Sequence, residues 1–256
     1  MSKSPFYVSL QSNVCEDLFP QNKIGDFKNR LGSLISLPSG EWEVALTDLS
    51  YTAGIAYVQS GELLFTIRED ASANSVRKDE IVSNSVATTS AELAELLNSS
   101  FGGGKTFNIG KTTAYTLPTK LKNKHVFASD KIRDLLGLKT NNLTCSTQAK
   151  VEGDVCQGRG VYPVFLAAGN TKLFVYCNLI RTQYIGNTRA PCLRVVNYSG
   201  DVREQKHHEF IHPHFMELAV SEFDTIHIYI LNEVGEVVPF LFGNLTVTLR
   251  FRQKKE

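Results

Sequence analysis

The feature that most constrains this chain is apolar alternation with a period of two, in short runs separated by Gly, Pro, Asn and Ser. Successive side chains of a strand point to opposite faces, so each such run buries one face and wets the other. Glu41-Trp42-Glu43-Val44-Ala45-Leu46-Thr47 is the clearest case, with Trp42, Val44 and Leu46 on one side and Glu41 and Glu43 on the other. Phe6 to Leu10, Ile24 to Leu31 (Phe27, Asn29 and Leu31 sharing a face), Leu63 to Arg68, Leu173 to Ile180, Cys192 to Val196, Thr225 to Ile230 and Leu245 to Phe251 repeat the pattern. Thr106 to Leu117 and His125 to Phe127 carry it more weakly. The total is about eight to ten strands. The polar stretch Glu69 to Glu80 is expected as a loop.

Two short helices interrupt the strands. Thr89-Ser90-Ala91-Glu92 is a capping box ahead of Leu93, Leu96 and Leu97, and Gly102-Gly103-Gly104 stops what it starts. Ser129 caps a second helix that ends at Gly137. Many strands, few helices and no βαβ alternation predict an all-β fold, an antiparallel β-sandwich of jelly-roll type with two short helices. No 20- to 50-residue repeat argues for a propeller or solenoid. At 256 residues the chain is expected to be one domain, 1–256, with short flexible termini.

Hydrophobic residues make up 42% of the chain and charged residues 21%, an ordinary globular balance. A net charge of +1 gives no overall attraction to nucleic acid or anionic lipid. Met1-Ser2-Lys3-Ser4-Pro5-Phe6 leads straight into a strand pattern with no signal-peptide stretch, and no apolar run has the length of a membrane helix. The protein is therefore expected to fold inside the host cell, in nucleus or cytoplasm. Cys15, Cys145, Cys156, Cys177 and Cys192 are odd in number and scattered, which points to packed free thiols. Without a secretory signal the sequons at Asn98, Asn142, Asn197 and Asn244 are chance matches.

A search for chemistry returns little. Gly104-Lys105-Thr106 mimics the end of a phosphate-binding loop, but Ser99 stands where the motif needs glycine and a helix precedes it instead of a strand. His207, His208, His212 and His214, with Glu209, are the densest set of potential metal ligands. Pro213 divides them and no partner recurs at ligand spacing, so a polar loop between strands is the simpler expectation and no metal is assigned. His125 and His227 sit within strand patterns, and Ser199-Gly200 lacks the context of a nucleophile elbow. Asp17, Asp48 and Asp224 could pair only in space. The basic runs Lys120 to His125 and Arg250 to Lys255 suit solvated strand edges, and nucleic-acid contact is not expected. No cofactor is predicted, and the chain reads as a non-enzyme.

Two segments carry a family resemblance. The first is Phe6-Tyr7-Val8-Ser9-Leu10-Gln11-Ser12-Asn13, then Leu18-Phe19-Pro20-Gln21-Asn22, then Gly40-Glu41-Trp42-Glu43-Val44-Ala45-Leu46. The second is Phe223-Asp224-Thr225-Ile226-His227-Ile228-Tyr229-Ile230, followed by Gly235, Val238-Pro239-Phe240, Phe242-Gly243 and Val247 to Phe251. With the helix ending Leu135-Leu136-Gly137-Leu138 between them, they resemble the penton, or single jelly-roll minor capsid, proteins of Polinton (Maverick) elements and adintovirus-like viruses. The resemblance implies a virion protein that forms homopentamers at the five-fold vertices of an icosahedral particle. It also implies contact with a hexon-like major capsid protein, a vertex spike or receptor as a further partner, and no catalytic residues. Pro239 to Gly243 reads as a turn between the last two strands, with Phe240 and Phe242 as candidate interface anchors. The competing expectations are a receptor- or glycan-binding jelly-roll module of the virion, with the 137 to 170 region as its likeliest binding surface, and a cupin-type enzyme, which needs inward-facing histidines.

Overall fold

The computed structural model describes residues 4–38, 40–69, 78–118, 121, 124–144, 149–152, 155–165, 171–200 and 202–254. In chain order its first strands are β1 (Phe6–Gln11), β2 (Asp26–Ser36), β3 (Trp42–Thr52), β4 (Leu63–Arg68) and β5 (Lys78–Val82). Helix α1 (Ser90–Ser100), β6 (Phe107–Ile109), β7 (Thr113–Leu117), β8 (His125–Ala128), helix α2 (Asp130–Leu135), β9 (Ala149–Glu152) and β10 (Val155–Arg159) follow. The series closes with β11 (Lys172–Cys177), β12 (Gln183–Ile185), β13 (Thr188–Ala190), β14 (Cys192–Asn197), β15 (Gln205–Glu209), β16 (Met216–Glu217), β17 (Glu222–Leu231) and β18 (Thr246–Gln253).

The chain makes two compact units. Unit 1 combines Met1–Ile55 with Gly169–Glu256, and unit 2 is the intervening Ala56–Ala168. Unit 1 holds one sheet in the order β1-β18-β3-β15, with β16 also on β3, and another in the order β14-β11-β17-β2. Every pairing is antiparallel. The chain passes from one sheet to the other at β1 to β2, β2 to β3, β3 to β11, β14 to β15, β16 to β17 and β17 to β18, so each sheet interleaves strands from both segments. That two-sheet interleaving of nine strands, with the short β16 beside the eight longer ones, is a jelly roll, and the fold is all-β as alternation predicts.

The inner faces carry the alternating residues. Leu10, Val44, Leu46, Leu49, Val247, Leu249 and Phe251 from one sheet meet Phe27, Leu173, Val175, Leu193, Ile226, Ile228 and Ile230 from the other. The Phe251 ring stacks on Phe6 at 4.8 Å and on Phe223 at 5.7 Å. Two interruptions shape the strands. Thr248 pairs with Asp48 but Leu249 with Leu46, so Thr47 bulges, and between Phe223 and Thr225 the β2 partner jumps from Ile35 to Arg30. A bulge bends its strand and raises the local twist.

Unit 2 is a separate core. Its sheets run β5-β4-β8 and β6-β7-β10-β9, and both helices belong to it. Thr89 Oγ1 accepts the Glu92 amide at 3.2 Å, while the Glu92 carboxylate reaches back to the amide and hydroxyl of Thr88, both at 2.7 Å. The reciprocal capping therefore spans Thr88 and Thr89. Leu93, Leu96 and Leu97 are buried as their spacing requires. Helix α2 ends in a Schellman motif: Gly137 N–H donates to Asp134 O at 3.2 Å and Leu138 N–H to Arg133 O at 2.9 Å, with Gly137 at φ +65°. Phe65, Phe101, Phe107 and Tyr115 form the aromatic centre of this core, with neighbouring centroids 5.1 to 6.1 Å apart.

Three expectations change here. The loop predicted over Glu69 to Glu80 gives way to β5 at Lys78, because Asp79 and Ile81 pair with β4; residues 70–77 lie outside the described ones. The segment expected as a simple turn, Pro239 to Gly243, instead folds back into unit 1. Phe240 bridges to Ile55 and is only 8% exposed, because its ring packs on Tyr51 at 5.7 Å. The polar loop expected around the histidines is partly a strand, β15, whose backbone pairs with β3 from Asp48 to Thr52.

Candidate functional site

The residues singled out for chemistry are held apart. Strand β15 turns His207 and His208 to opposite faces. His207 is exposed, with Nδ1 2.8 Å from Ser50 Oγ and Nε2 3.7 Å from Asp48 Oδ1. His208 turns inward, stacked on Tyr51 at 5.7 Å and Phe210 at 6.4 Å, with Nε2 3.3 Å from the Tyr51 hydroxyl. Burial pushes its pKa down, and the neighbouring His207 and Lys206 charges add to that. His212 and His214 follow the strand, both exposed. Among the described residues no three His, Cys, Asp or Glu side chains converge as a metal set.

The remaining candidates have local partners. His227 Nε2 meets Asp26 Oδ1 at 2.6 Å, His125 lies 6.4 Å from the Phe127 ring, and Asp224 pairs with Arg30 at 3.3 Å. Asp17 is exposed in the connection after β1. Lys105 follows the glycines that stop α1 and leads into β6, so no helix N-terminus stands behind it to hold phosphate. Burial pushes the Cys177 thiol up to about 12 and the Cys192 thiol up to about 11, which leaves both protonated and unreactive at neutral pH. Cys145, Lys120, Lys122, Asn123 and Lys255 lie outside the described residues.

The surface of unit 1 is more informative. Arginines lie over aromatic rings: Arg252 over Phe215 at 3.4 Å, Arg194 over Phe210 at 4.0 Å, Arg203 over Phe242 at 5.1 Å, Arg189 over Tyr184 at 5.4 Å and Arg250 over Tyr7 at 5.6 Å. Tyr and Arg are the side chains that protein interfaces favour and that dominate their energetics. Of the two candidate anchors, Phe240 is spent on the core, whereas Phe242 keeps a partly exposed ring between Arg203 and Gly54.

Sequence reasoning missed a groove of about 340 Å³ on the outer face of the β14-β11-β17-β2 sheet. Tyr176 and Tyr229 form its floor, stacked nearly parallel at 4.9 Å, with Phe174 and Leu231 beside them. One wall is the β12–β13 hairpin through Ile185, Thr188 and Ala190, and the other is the turn from Asn232 to Gly235. A partial signal was present: β11 carries Phe174 and Tyr176, and β17 carries Tyr229 and Leu231, on the face opposite the core, which marks a patch of sheet surface that something covers.

No protein-family model matches the sequence, and no curated protein does. Solved structures do match. The crystal structure of the mavirus penton protein superposes with a TM-score of 0.50 at 9% identity, covering 98% of this chain and 100% of that one. A chain in the cryo-EM structure of the Sputnik virophage gives a TM-score of 0.49, also at 9% identity, with 98% of each chain covered. At such identity the likeness is one of fold, and it runs nearly the full length of the chain. The fold implied by the Polinton-type resemblance is thus the fold found.

Proposed function

We propose that the chain is a structural capsid protein, a penton-type minor capsid subunit that forms homopentamers at the five-fold vertices of an icosahedral particle of the Polinton and adintovirus kind. The observation that carries this reading is the fold shared with the mavirus penton protein over 98% of this chain and all of that one. The ordered motifs of the first and last strands and the arginine-on-ring pairs on the surface of unit 1 support it. The whole chain, 1–256, acts as one subunit whose jelly roll is unit 1. Its work lies in interfaces, not catalysis, and the major capsid protein is its expected neighbour in the virion. Phe242, with Arg203 over it, remains a candidate contact.

A ring of five repeats one head-to-tail contact until it closes, and stable association needs roughly 1,000 Å² or more of buried surface per contact. Light scattering on size-fractionated protein, followed through concentration and salt, tests the reading. A species of five chains that gives rings in negative-stain images is the expected result. A strict monomer at high concentration overturns the self-assembling subunit.

A further inference from the structure

Among the described residues of unit 1 the most exposed large aliphatic side chain is Ile211, ahead of Val234 at 67% and Leu34 at 63%, and the same unit carries the aromatic groove. Ile211 is 82% exposed, at the start of the loop between β15 and β16. That loop is held from both sides. Phe210 N–H donates to Thr47 O at 2.8 Å, and Arg194 Nη1 donates to His212 O at 3.2 Å while its guanidinium covers the Phe210 ring. Pro213 stiffens the chain just beyond. Ile211 is therefore an apolar knob on a fixed stem, at the sandwich edge where β14 and β15 lie.

The groove asks for an apolar occupant. Its polar rim groups are committed within the chain: both Glu233 carboxylate oxygens take Thr171, through N–H at 3.0 Å and Oγ1 at 2.6 Å. Asn232 Oδ1 accepts the amides of Val234 and Glu236, and Thr188 Oγ1 donates to Asn187. What remains beside the Tyr176 and Tyr229 hydroxyls is the floor of rings and the aliphatic walls, suited to a branched aliphatic side chain. Charge agrees: Arg194 stands at the base of the knob, while Glu233 is the charged residue that lines the groove.

We propose that Ile211 of one copy inserts into the Tyr176–Tyr229 groove of the next copy, as the anchor of a head-to-tail contact between subunits. This rests on the self-assembling reading above. Knob and groove occupy different surfaces of the same unit, an edge and a sheet face. Their contact is heterologous and repeats from copy to copy, as a closed ring requires. Losing the burial of one large aliphatic anchor corresponds to roughly a ten- to hundredfold weaker association constant.

Two variants test it in the full chain. Ile211→Asp removes the knob at an exposed position, and Ala190→Arg fills the groove from the wall of the hairpin; thermal melts by circular dichroism check that both fold. Each variant alone is expected to need at least about tenfold more protein than wild type to assemble, by light scattering. Mixed at equal ratio they retain one good knob and one good groove, so a two-chain species is expected that neither forms alone. Wild type that assembles while the folded variants assemble at the same concentrations overturns this contact and leaves the capsid reading standing. Loss of assembly in both variants without the mixed pair also overturns it. A wild type that never assembles overturns the self-assembling reading and the contact with it.

Discussion

Unit 1 and unit 2 reach compactness by opposite routes. In unit 1 the first strand pairs with the last, Phe6 opposite Phe251, and β3 is flanked by β15 and β18 from beyond the intervening unit. In unit 2 a continuous segment closes on itself, β4 beside β5 and β6 beside β7, with two capped helices. Loop-closure entropy falls on distant pairings first, and long-range contacts slow folding. Unit 2 has what it needs within Ala56–Ala168, whereas unit 1 must bring its two ends together.

The largest expected effects test whether the two cores stand apart. Phe251→Ala removes a fully buried ring stacked between Phe6 and Phe223, and Phe65→Ala removes the centre of the aromatic cluster in unit 2. Each should cost about 3–5 kcal/mol, as buried phenylalanine truncations do. Hydrogen exchange should localise the damage: Phe251→Ala lowers protection in β1, β3 and β18 and leaves β4, β6 and β7 near wild type, and Phe65→Ala does the reverse. Equal loss in both units for either variant would make them one cooperative block and end the comparison.

The same contrast explains what could be seen in the sequence. In unit 1 the strands with one wet face were legible, because Trp42, Val44 and Leu46 alternate with polar neighbours. Strand β15 was not, because an edge strand of Gln205, Lys206, His207, His208 and Glu209 has no apolar period at all. The groove stayed hidden because Phe174 and Tyr176 lie on the outer face of β11 while Leu173 and Val175 lie on the inner, so alternation has no contrast to report. The β12–β13 hairpin left a trace, Gly186-Asn187 between Ile185 and Thr188 with Gly186 at φ +59°, a two-residue turn signal. A lone Ile211 among histidines gives no periodic signal, and its exposure is a property of the fold alone. In unit 2 the helices were legible through their caps, Thr89, Ser129 and Gly137, since capping is local chemistry.

Smaller changes sharpen the picture within unit 2. Gly158 pairs with Tyr115 across β10 and β7, and a Cβ there would run into the buried Tyr115 ring. Gly158→Val should cost about 1–3 kcal/mol as overpacking. A melt unchanged from wild type would mean the ring can move aside. Thr89→Ala removes an N-cap acceptor and should cost about 1 kcal/mol. Since Glu92 still reaches Thr88, the Thr89→Ala loss should grow when Glu92→Gln is added. Strict additivity in that cycle, measured by urea unfolding, would show the two caps acting separately.

The smallest effect expected belongs to unit 1 and depends on pH. His208 is held neutral by its burial against Tyr51 and Phe210, with His207 and Lys206 opposing a further positive charge. Its folded pKa lies below the ordinary value of 6.5, so the unfolded chain takes up this proton first. Stability from this residue is therefore full above about pH 6.5 and declines as acid carries the solution down toward the folded pKa. His208→Gln removes the titration but keeps a polar side chain. The melting temperature of wild type minus that of the variant should then be largest near pH 8 and shrink by pH 5. Parallel curves across that range would mean that His208 titrates alike in both states, and that the inward turn at β15 does not shield it.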